Sequence, residues 1–171
     1  MKQENNSMKT LYLIRHAKAS SGNNFGGDFE RPLHATGIQG ARFMGELLKT
    51  NGVLPDAVIT SSALRTRSTA TILCEILGFP AERIEERMEI YEGGAMRLLS
   101  IIQHISESCS TAMLIGHNPT ITELTSVLSG RAQGGMATGG VAHLQFQVEH
   151  WSEVVAGCGT LVAYQFPQAY Q

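Results

Sequence analysis

The chain has 171 residues, of which 43% are apolar and 16% are charged, and its formal net charge is −2. This length suits a single domain with its own core, and the composition excludes an intrinsically disordered chain. A nearly neutral chain has no overall attraction for nucleic acid, so any affinity for anions has to come from a local cluster of basic side chains.

The sequence predicts a cytoplasmic protein with no membrane partner. No apolar run is long enough to cross a bilayer, and the polar residues at the start lack the apolar stretch of a secretory signal. We predict a flexible tail at residues 1–8 and a single domain at residues 9–171. The cysteines Cys74, Cys109 and Cys158 are far apart, which is typical of reduced, buried side chains and not of disulfides or metal ligands.

Strand and helix patterns alternate along most of the chain. Short apolar or β-branched runs predict strands, and apolar residues at helical spacing predict helices. In chain order the predicted elements are a strand at 10–14, a helix at 38–49, a strand at 56–60, helices at 63–77 and 95–105, a strand at 111–115, a helix at 120–128, and strands at 141–148 and 160–166.

The stretches between these elements show less regular patterns of apolar residues. Residues 19–31 are rich in Gly, Ser and Asn, which predicts a loop, and Thr36 is the predicted N-cap of the first helix. Residues 82–91 are charged, and no regular structure is predicted for them. Strands that alternate with helices and are followed by a strand pair predict a three-layer α/β/α sandwich. Its central sheet is expected to be mostly parallel, with a late antiparallel edge strand.

Three predicted strands end in residues that suit phosphate chemistry. The first ends in Arg15-His16, the second runs into Ser61 and then Arg65 one turn into its helix, and the third ends in Gly116-His117. Because the carboxyl ends of parallel strands meet at one edge of a sheet, these groups are expected to converge. Clustered imidazoles and guanidiniums are unfavourable unless an anion lies between them, and a phosphoryl group matches the guanidinium geometry.

The same cluster would activate His16. Neighbouring positive charge lowers the pKa of an imidazole, so His16 would be neutral near pH 7 and able to attack phosphorus. Transfer of the phosphoryl group to His16, followed by hydrolysis, would divide one displacement into two steps. Arg15, Arg65 and His117 would stabilise the charge on the transferred group.

These motifs resemble those of the histidine phosphatase superfamily. Arg15-His16-Ala17 is similar to its Arg-His-Gly/Ala signature. Arg31-Pro32-Leu33 followed by Thr36-Gly37, together with Gly116-His117-Asn118-Pro119, resembles the small SixA-type phosphohistidine phosphatase branch. The resemblance covers about residues 9–166 and implies this superfamily's α/β fold.

The resemblance also implies roles for individual residues. His16 corresponds to the phosphorylated nucleophile, and Arg15 and Arg65 correspond to phosphate ligands. His117 corresponds to a second imidazole that binds phosphate and can assist proton transfer. The family needs no metal, so the resemblance implies a site without a metal or other cofactor.

The sequence departs from the family around the second arginine. Ser62-Ala63 and Ser68-Thr69 stand where the family often has Ser-Pro and Gln-Thr. Arg65 and Arg67 are both present, but residues two apart do not share a helix face, and the spacing from Ser61 favours Arg65.

Further residues are candidates for the site. Arg31, Ser61 and Asn118 are candidates for substrate binding, although Arg31 could equally pair with Asp28 or Glu30. Glu89 lies where larger members of the family carry an acidic proton donor, a feature that the small branch lacks. Because imidazole is a good leaving group, the absence of a clear acid favours phosphohistidine as the substrate.

Three functions fit the sequence. The leading hypothesis is a phosphatase that acts on phosphohistidine in a partner protein, the second is a phosphatase for small phosphoesters such as sugar phosphates, and the third is a phosphate-binding module without turnover. The glycines from Gly134 to Gly140 lack both the P-loop and the dinucleotide-binding patterns, so nucleotide binding is not expected.

Overall fold

A six-stranded mixed sheet forms the centre of the protein. The computed structural model describes residues 7–22 and 24–170, and the strands within them are β1 (Lys9–Arg15), β2 (Ala57–Ser61), β3 (Glu85–Arg87), β4 (Thr111–Gly116), β5 (Val141–Phe146) and β6 (Gly159–Gln165). Their order across the sheet is β3-β2-β4-β1-β5-β6. The first four strands run parallel, whereas β5 is antiparallel to both β1 and β6.

Helices pack on both faces of this sheet. They are α1 (Ala35–Thr50), α2 (Leu64–Leu77), α3 (Met88–Glu92), α4 (Ala95–Gln103) and α5 (Thr120–Ser129). Because side chains alternate across a strand, Leu11 and Leu13 pack with α4 and α5 on one face, whereas Tyr12 and Ile14 pack with α1 and α2 on the other. The predicted three-layer sandwich, with a mostly parallel sheet and a late antiparallel edge strand, is confirmed: β6 lies at the edge and pairs antiparallel with β5.

Two local predictions are wrong. The N-cap of α1 is His34 and not Thr36, because the His34 Nδ1 atom accepts a hydrogen bond from the Thr36 backbone N–H at 3.1 Å. Residues 82–91 contain β3 and all but the last residue of α3, although no regular structure is predicted there. Strand β3 has three residues at the edge of the sheet, and its charged side chains bury no apolar face, so no periodicity marks it.

Some expectations concern features outside the sheet. Residues 1–6 of the predicted tail lie outside the described residues, so the tail and the domain bounds stay predictions. Cys74 is buried as expected, but Cys109 and Cys158 are only partly buried. Among the described residues, no helix combines the length and the apolar character that a membrane crossing requires.

Gly37 allows the start of α1 to contact the segment that follows His16. A Cβ atom at this position would collide with the backbone carbonyl of Lys18, and the His34 N–H donates to that same carbonyl at 2.8 Å. We expect Gly37→Ala to lower the free energy of unfolding by about 2 kcal/mol, as overpacking does, although alanine is normally the better helix former. Urea denaturation measures this change.

Gly134→Ala is the matched control for this substitution. Its Cβ atom would meet no neighbour within 4 Å. Equal stability of the two variants and the wild type would contradict the close contact at Gly37.

Candidate active site

The carboxyl ends of β1 and β4 lie side by side and carry two imidazoles. Arg15 pairs with Gly116 in the parallel ladder, and the His16 backbone N–H donates to the Gly116 carbonyl at 3.1 Å. The ring centroids of His16 and His117 are consequently 5.4 Å apart. Strand β2 pairs with β4 on its other side and leads into α2, which carries Arg65. The sheet thus brings His16, His117, Arg15 and Arg65 into one cluster.

His16 is a neutral imidazole whose Nε2 atom makes no hydrogen bond within the described part of the chain. Its Nδ1 atom lies 2.8 Å from the Ala17 carbonyl oxygen. A carbonyl can only accept, so Nδ1 carries the proton and the lone pair lies on Nε2. Burial, assisted by the charges of Arg65 and Arg15, lowers the pKa of His16 to about 4. His16 therefore has the form of a nucleophile at neutral pH.

Ser61 forms a hydrogen bond with the ring of His117. The Nε2 atom of His117 lies 2.8 Å from the Ser61 hydroxyl oxygen, which also accepts the Ala63 backbone N–H at 3.3 Å. If the serine donates its proton to Nε2, the imidazole proton lies on Nδ1. Burial and the charge of Arg65 lower the pKa of His117 to about 3. Ser61, predicted to bind substrate, is fully buried, so its hydroxyl would act on a ligand only through His117.

The two arginines are each anchored at one end. Arg15 donates from Nη1 to the Met136 carbonyl at 2.8 Å. Arg65 donates from Nη1 to the Asp28 carbonyl at 2.8 Å and from Nη2 to the Asp28 carboxylate at 3.0 Å. The Nε atoms of both arginines are buried and have no hydrogen-bond partner among the described residues, and the same holds for Nδ1 of His117.

These three unpartnered nitrogens indicate an anion site. A buried polar group without a partner costs about 1–3 kcal/mol, so most such groups in proteins are hydrogen-bonded. The nitrogens belong to side chains from three segments that meet around His16. The His117 ring lies 5.4 Å from the His16 ring, and the charges of Arg15 and Arg65 act on His16, so the three side chains surround the nucleophile as phosphoryl transfer requires.

Asp28 is a member of the cluster that sequence reasoning did not select as a site residue. Its carboxylate accepts from Arg31 Nε, from Arg65 Nη2 and from the Tyr91 hydroxyl, each at 3.0 Å. Partial burial raises the pKa of Asp28, but the Tyr91 hydrogen bond and the Arg65 charge outweigh it, so the pKa is lowered. Asp28 thereby connects its segment to Arg65 of the candidate active site.

Tyr91 was also not selected from the sequence. Its ring packs edge-on against His117 at 5.5 Å and against Phe29 at 5.1 Å. These rings form an aromatic wall on one side of the imidazole pair. No sequence pattern indicated a role for Tyr91, because it lies in the stretch at 82–91 for which no regular structure is predicted.

The remaining candidates are engaged in other contacts. Arg31 pairs with Asp28, and its charge contributes to lowering the pKa of His16. The Asn118 side-chain amide donates to the Met136 carbonyl and accepts from the Thr122 hydroxyl, so it secures the segment that also anchors Arg15. Substrate contacts by Arg31 and Asn118 stay predictions.

Glu89 is paired with Arg87. The distance from its carboxylate to Arg87 Nε is 3.3 Å. Its own backbone N–H and Arg87 hold the pKa of Glu89 below its usual range, so it carries no proton to donate near pH 7. Within the described part of the chain, no group of three or more His, Cys, Asp or Glu side chains could hold a metal ion.

Comparison with known proteins agrees with this geometry. Residues 11–98 match the family described as the histidine phosphatase superfamily (branch 1). An uncharacterized protein of Mycobacterium tuberculosis is 30% identical over an alignment of 165 positions that covers 91% of this chain and 100% of that protein.

Solved structures give the same result for the fold. A SixA structure from Nakamurella multipartitia has a TM-score of 0.79 at 28% identity and covers 94% of this chain and 96% of its own. The structure of the protein histidine phosphatase SixA complexed with tungstate has a TM-score of 0.81 at 22% identity, over 95% and 99% of the two chains. Because residues 11–98, more than half of the chain, match this family and the fold agrees, the chain belongs to the histidine phosphatase superfamily.

Proposed function

We propose that the protein is a metal-independent phosphatase that forms a phosphohistidine intermediate on His16 and acts on phosphohistidine in a partner protein. The observation that carries the proposal is the set of unpartnered buried nitrogens on Arg15, Arg65 and His117 beside a neutral imidazole. A binding module without turnover would have no use for a nucleophile in that protonation state.

In the first step, His16 Nε2 attacks phosphorus in line with the leaving group. The new bond joins Nε2 to phosphorus, and the bond from phosphorus to the substrate nitrogen breaks. The second nitrogen of the substrate ring already carries a proton, so the ring takes the electron pair of the broken bond and leaves as neutral imidazole. The hydrogen bond from His16 Nδ1–H to Ala17 stabilises the positive charge that the ring then carries.

In the second step, water attacks the phosphohistidine. The bond between Nε2 and phosphorus breaks, inorganic phosphate leaves, and His16 returns to its neutral form with the proton still on Nδ1. In both steps Arg15, Arg65 and His117 would donate to the three equatorial oxygens, where the arginines supply the positive charge that metal ions supply in other phosphoryl-transfer enzymes.

The choice of substrate rests on the acidic residues near the site. The pKa values of Asp28 and Glu89 are both lowered, so both are carboxylates near pH 7. A sugar alkoxide needs a proton as it leaves, whereas an imidazole leaves readily without an acid. The Nakamurella multipartitia protein, which bears the provisional name phosphohistidine phosphatase SixA, supports the same choice at 28% identity.

A trapping experiment combined with a substrate panel tests this proposal. The protein is incubated with a ³²P-labelled phosphohistidine peptide, quenched at alkaline pH and digested, and we expect the label on His16. We expect kcat/KM for phosphohistidine to exceed that for a sugar phosphate by on the order of 100-fold, the contribution of a missing general acid, with and without EDTA. Label on another residue, or a preference for the sugar phosphate, would overturn the proposal.

A further inference from the structure

An apolar groove with a volume of about 490 Å³ lies next to the candidate active site. It lies between the N-terminal parts of α1 and α2 and the segment at Pro32 and Leu33. Apolar side chains that are buried or half-buried form much of its lining: Pro32, Leu33, Ile38, Leu64 and Ile72. The small side chains of Ser68 and Thr71 leave its space open.

Residues that line the groove also pack against the residue that follows His16. Leu33, Ile38 and Ile72 pack in one small cluster with Ala17, the residue directly after His16. On α2, Leu64 lines the groove, whereas the next residue, Arg65, belongs to the active site. A substrate peptide whose phosphohistidine is bound at His16 could therefore place its neighbouring residues in the groove, because only these shared residues separate the two sites.

Two guanidinium groups line the same groove. Arg42 makes no side-chain hydrogen bond or ion pair within residues 7–22 and 24–170. Arg67 has only a long contact of 3.9 Å with Glu86, and its Nε atom is buried without a partner there. In a chain with a net charge of −2, this is a local positive surface, and carboxylates are its complement.

We propose that this groove binds the segment of the phosphoprotein substrate next to its phosphohistidine, and that this segment carries carboxylates beside apolar side chains. The inference rests on the proposed function and names the surface that recognises the protein part of the substrate. The groove volume is within the 300–1,000 Å³ that binding pockets occupy. Its apolar floor would take the side chains of the segment, and Arg42 and Arg67 would pair with its carboxylates.

Phosphohistidine peptides with different flanks test this inference. One peptide carries Glu and Leu on both sides of the phosphohistidine, a second carries Lys and Leu, and free phosphohistidine serves as the substrate without flanks. We expect wild-type kcat/KM at low salt to be about 10-fold higher for the Glu peptide than for the Lys peptide, as two exposed ion pairs allow. In the double variant Arg42→Glu/Arg67→Glu we expect the preference to reverse, with free phosphohistidine hydrolysed at the wild-type rate.

A matched double variant controls for net charge. Lys49→Glu/Arg131→Glu changes the charge by the same amount at exposed positions outside the groove and should keep the preference for the Glu peptide. Thr71→Trp, which fills the groove, should weaken the peptide reaction and spare free phosphohistidine.

Each contrary outcome has a distinct meaning. Equal rates for the Glu and Lys peptides, or reversal by the control variant, would overturn the inference. A dimer in light scattering that the groove variants dissociate would show that a second copy occupies the groove, which also overturns it. If the wild-type protein hydrolyses neither the two peptides nor free phosphohistidine, the proposed function fails independently of the groove.

Discussion

Replacement of His16 by alanine is expected to lower kcat/KM for phosphohistidine and for p-nitrophenyl phosphate by at least ~10⁴-fold. The substitution removes the imidazole whose Nε2 carries the lone pair, because Nδ1 of His16 donates to the Ala17 carbonyl, whereas Nε2 of His117 is engaged in a hydrogen bond with Ser61. Initial rates with the two substrates measure the loss.

The variant should still bind phosphate. The unpartnered nitrogens of Arg15, Arg65 and His117 are untouched by the substitution, so we expect inorganic phosphate to raise the melting temperature of His16→Ala as it does for the wild type. His104→Ala removes an exposed imidazole outside the cluster and should retain full activity. More than a tenth of the wild-type rate in His16→Ala would contradict nucleophilic catalysis by this residue.

The fold and the central cluster could be predicted because their signals are local. Strands β1 and β4 are apolar runs buried on both faces, and each ends abruptly in a histidine-bearing motif. Parallel pairing then brings the strand ends together without further information. The order of strands and helices was sufficient to predict the layers of the sandwich.

Asp28 and Tyr91 could not be predicted because their contacts join distant parts of the chain. The hydrogen bond between them spans 63 residues, and the one from Arg65 to Asp28 spans 37. In the sequence, Asp28 lies three residues before Arg31 and suggests only a local ion pair. The N-cap of α1 could not be predicted either, because serine and threonine are the usual N-cap residues and the sequence therefore favours Thr36 over His34.

The contacts of Asp28 determine how Arg65 is presented to a ligand. With Nη1 and Nη2 both bonded to Asp28, the guanidinium plane is fixed, and the unpartnered Nε is held in the buried part of the cluster. A rigid donor of this kind loses little freedom when an oxyanion binds, which is the basis of electrostatic preorganisation. Arg65 is therefore expected to matter more than a solvent-exposed arginine of equal charge.

Replacement of Arg65 by glutamine is expected to lower kcat by about 10²–10³-fold, the usual cost of removing one preorganised donor to the transferred group. It should also change the pH dependence. Burial lowers the pKa of His16 to about 4, and the charge of Arg65 contributes to the lowering, so the acid limb of kcat/KM should lie near pH 4 in the wild type. Without that charge the pKa of His16 rises, and the limb should move to higher pH because the protonated imidazole cannot attack.

Arg67→Gln is the matched control, since it removes the same charge two residues further along α2. Arg67 does not share the helix face of Arg65, so its substitution should leave kcat and the acid limb for p-nitrophenyl phosphate unchanged. The pH profiles of the three proteins on this one substrate decide the matter, because the titration of the substrate is common to all of them. If Arg67→Gln were as impaired as Arg65→Gln, the assignment of Arg65 as the ligand of the phosphoryl group would be wrong. If the acid limb of Arg65→Gln did not shift, the charge of Arg65 would not contribute to the pKa of His16.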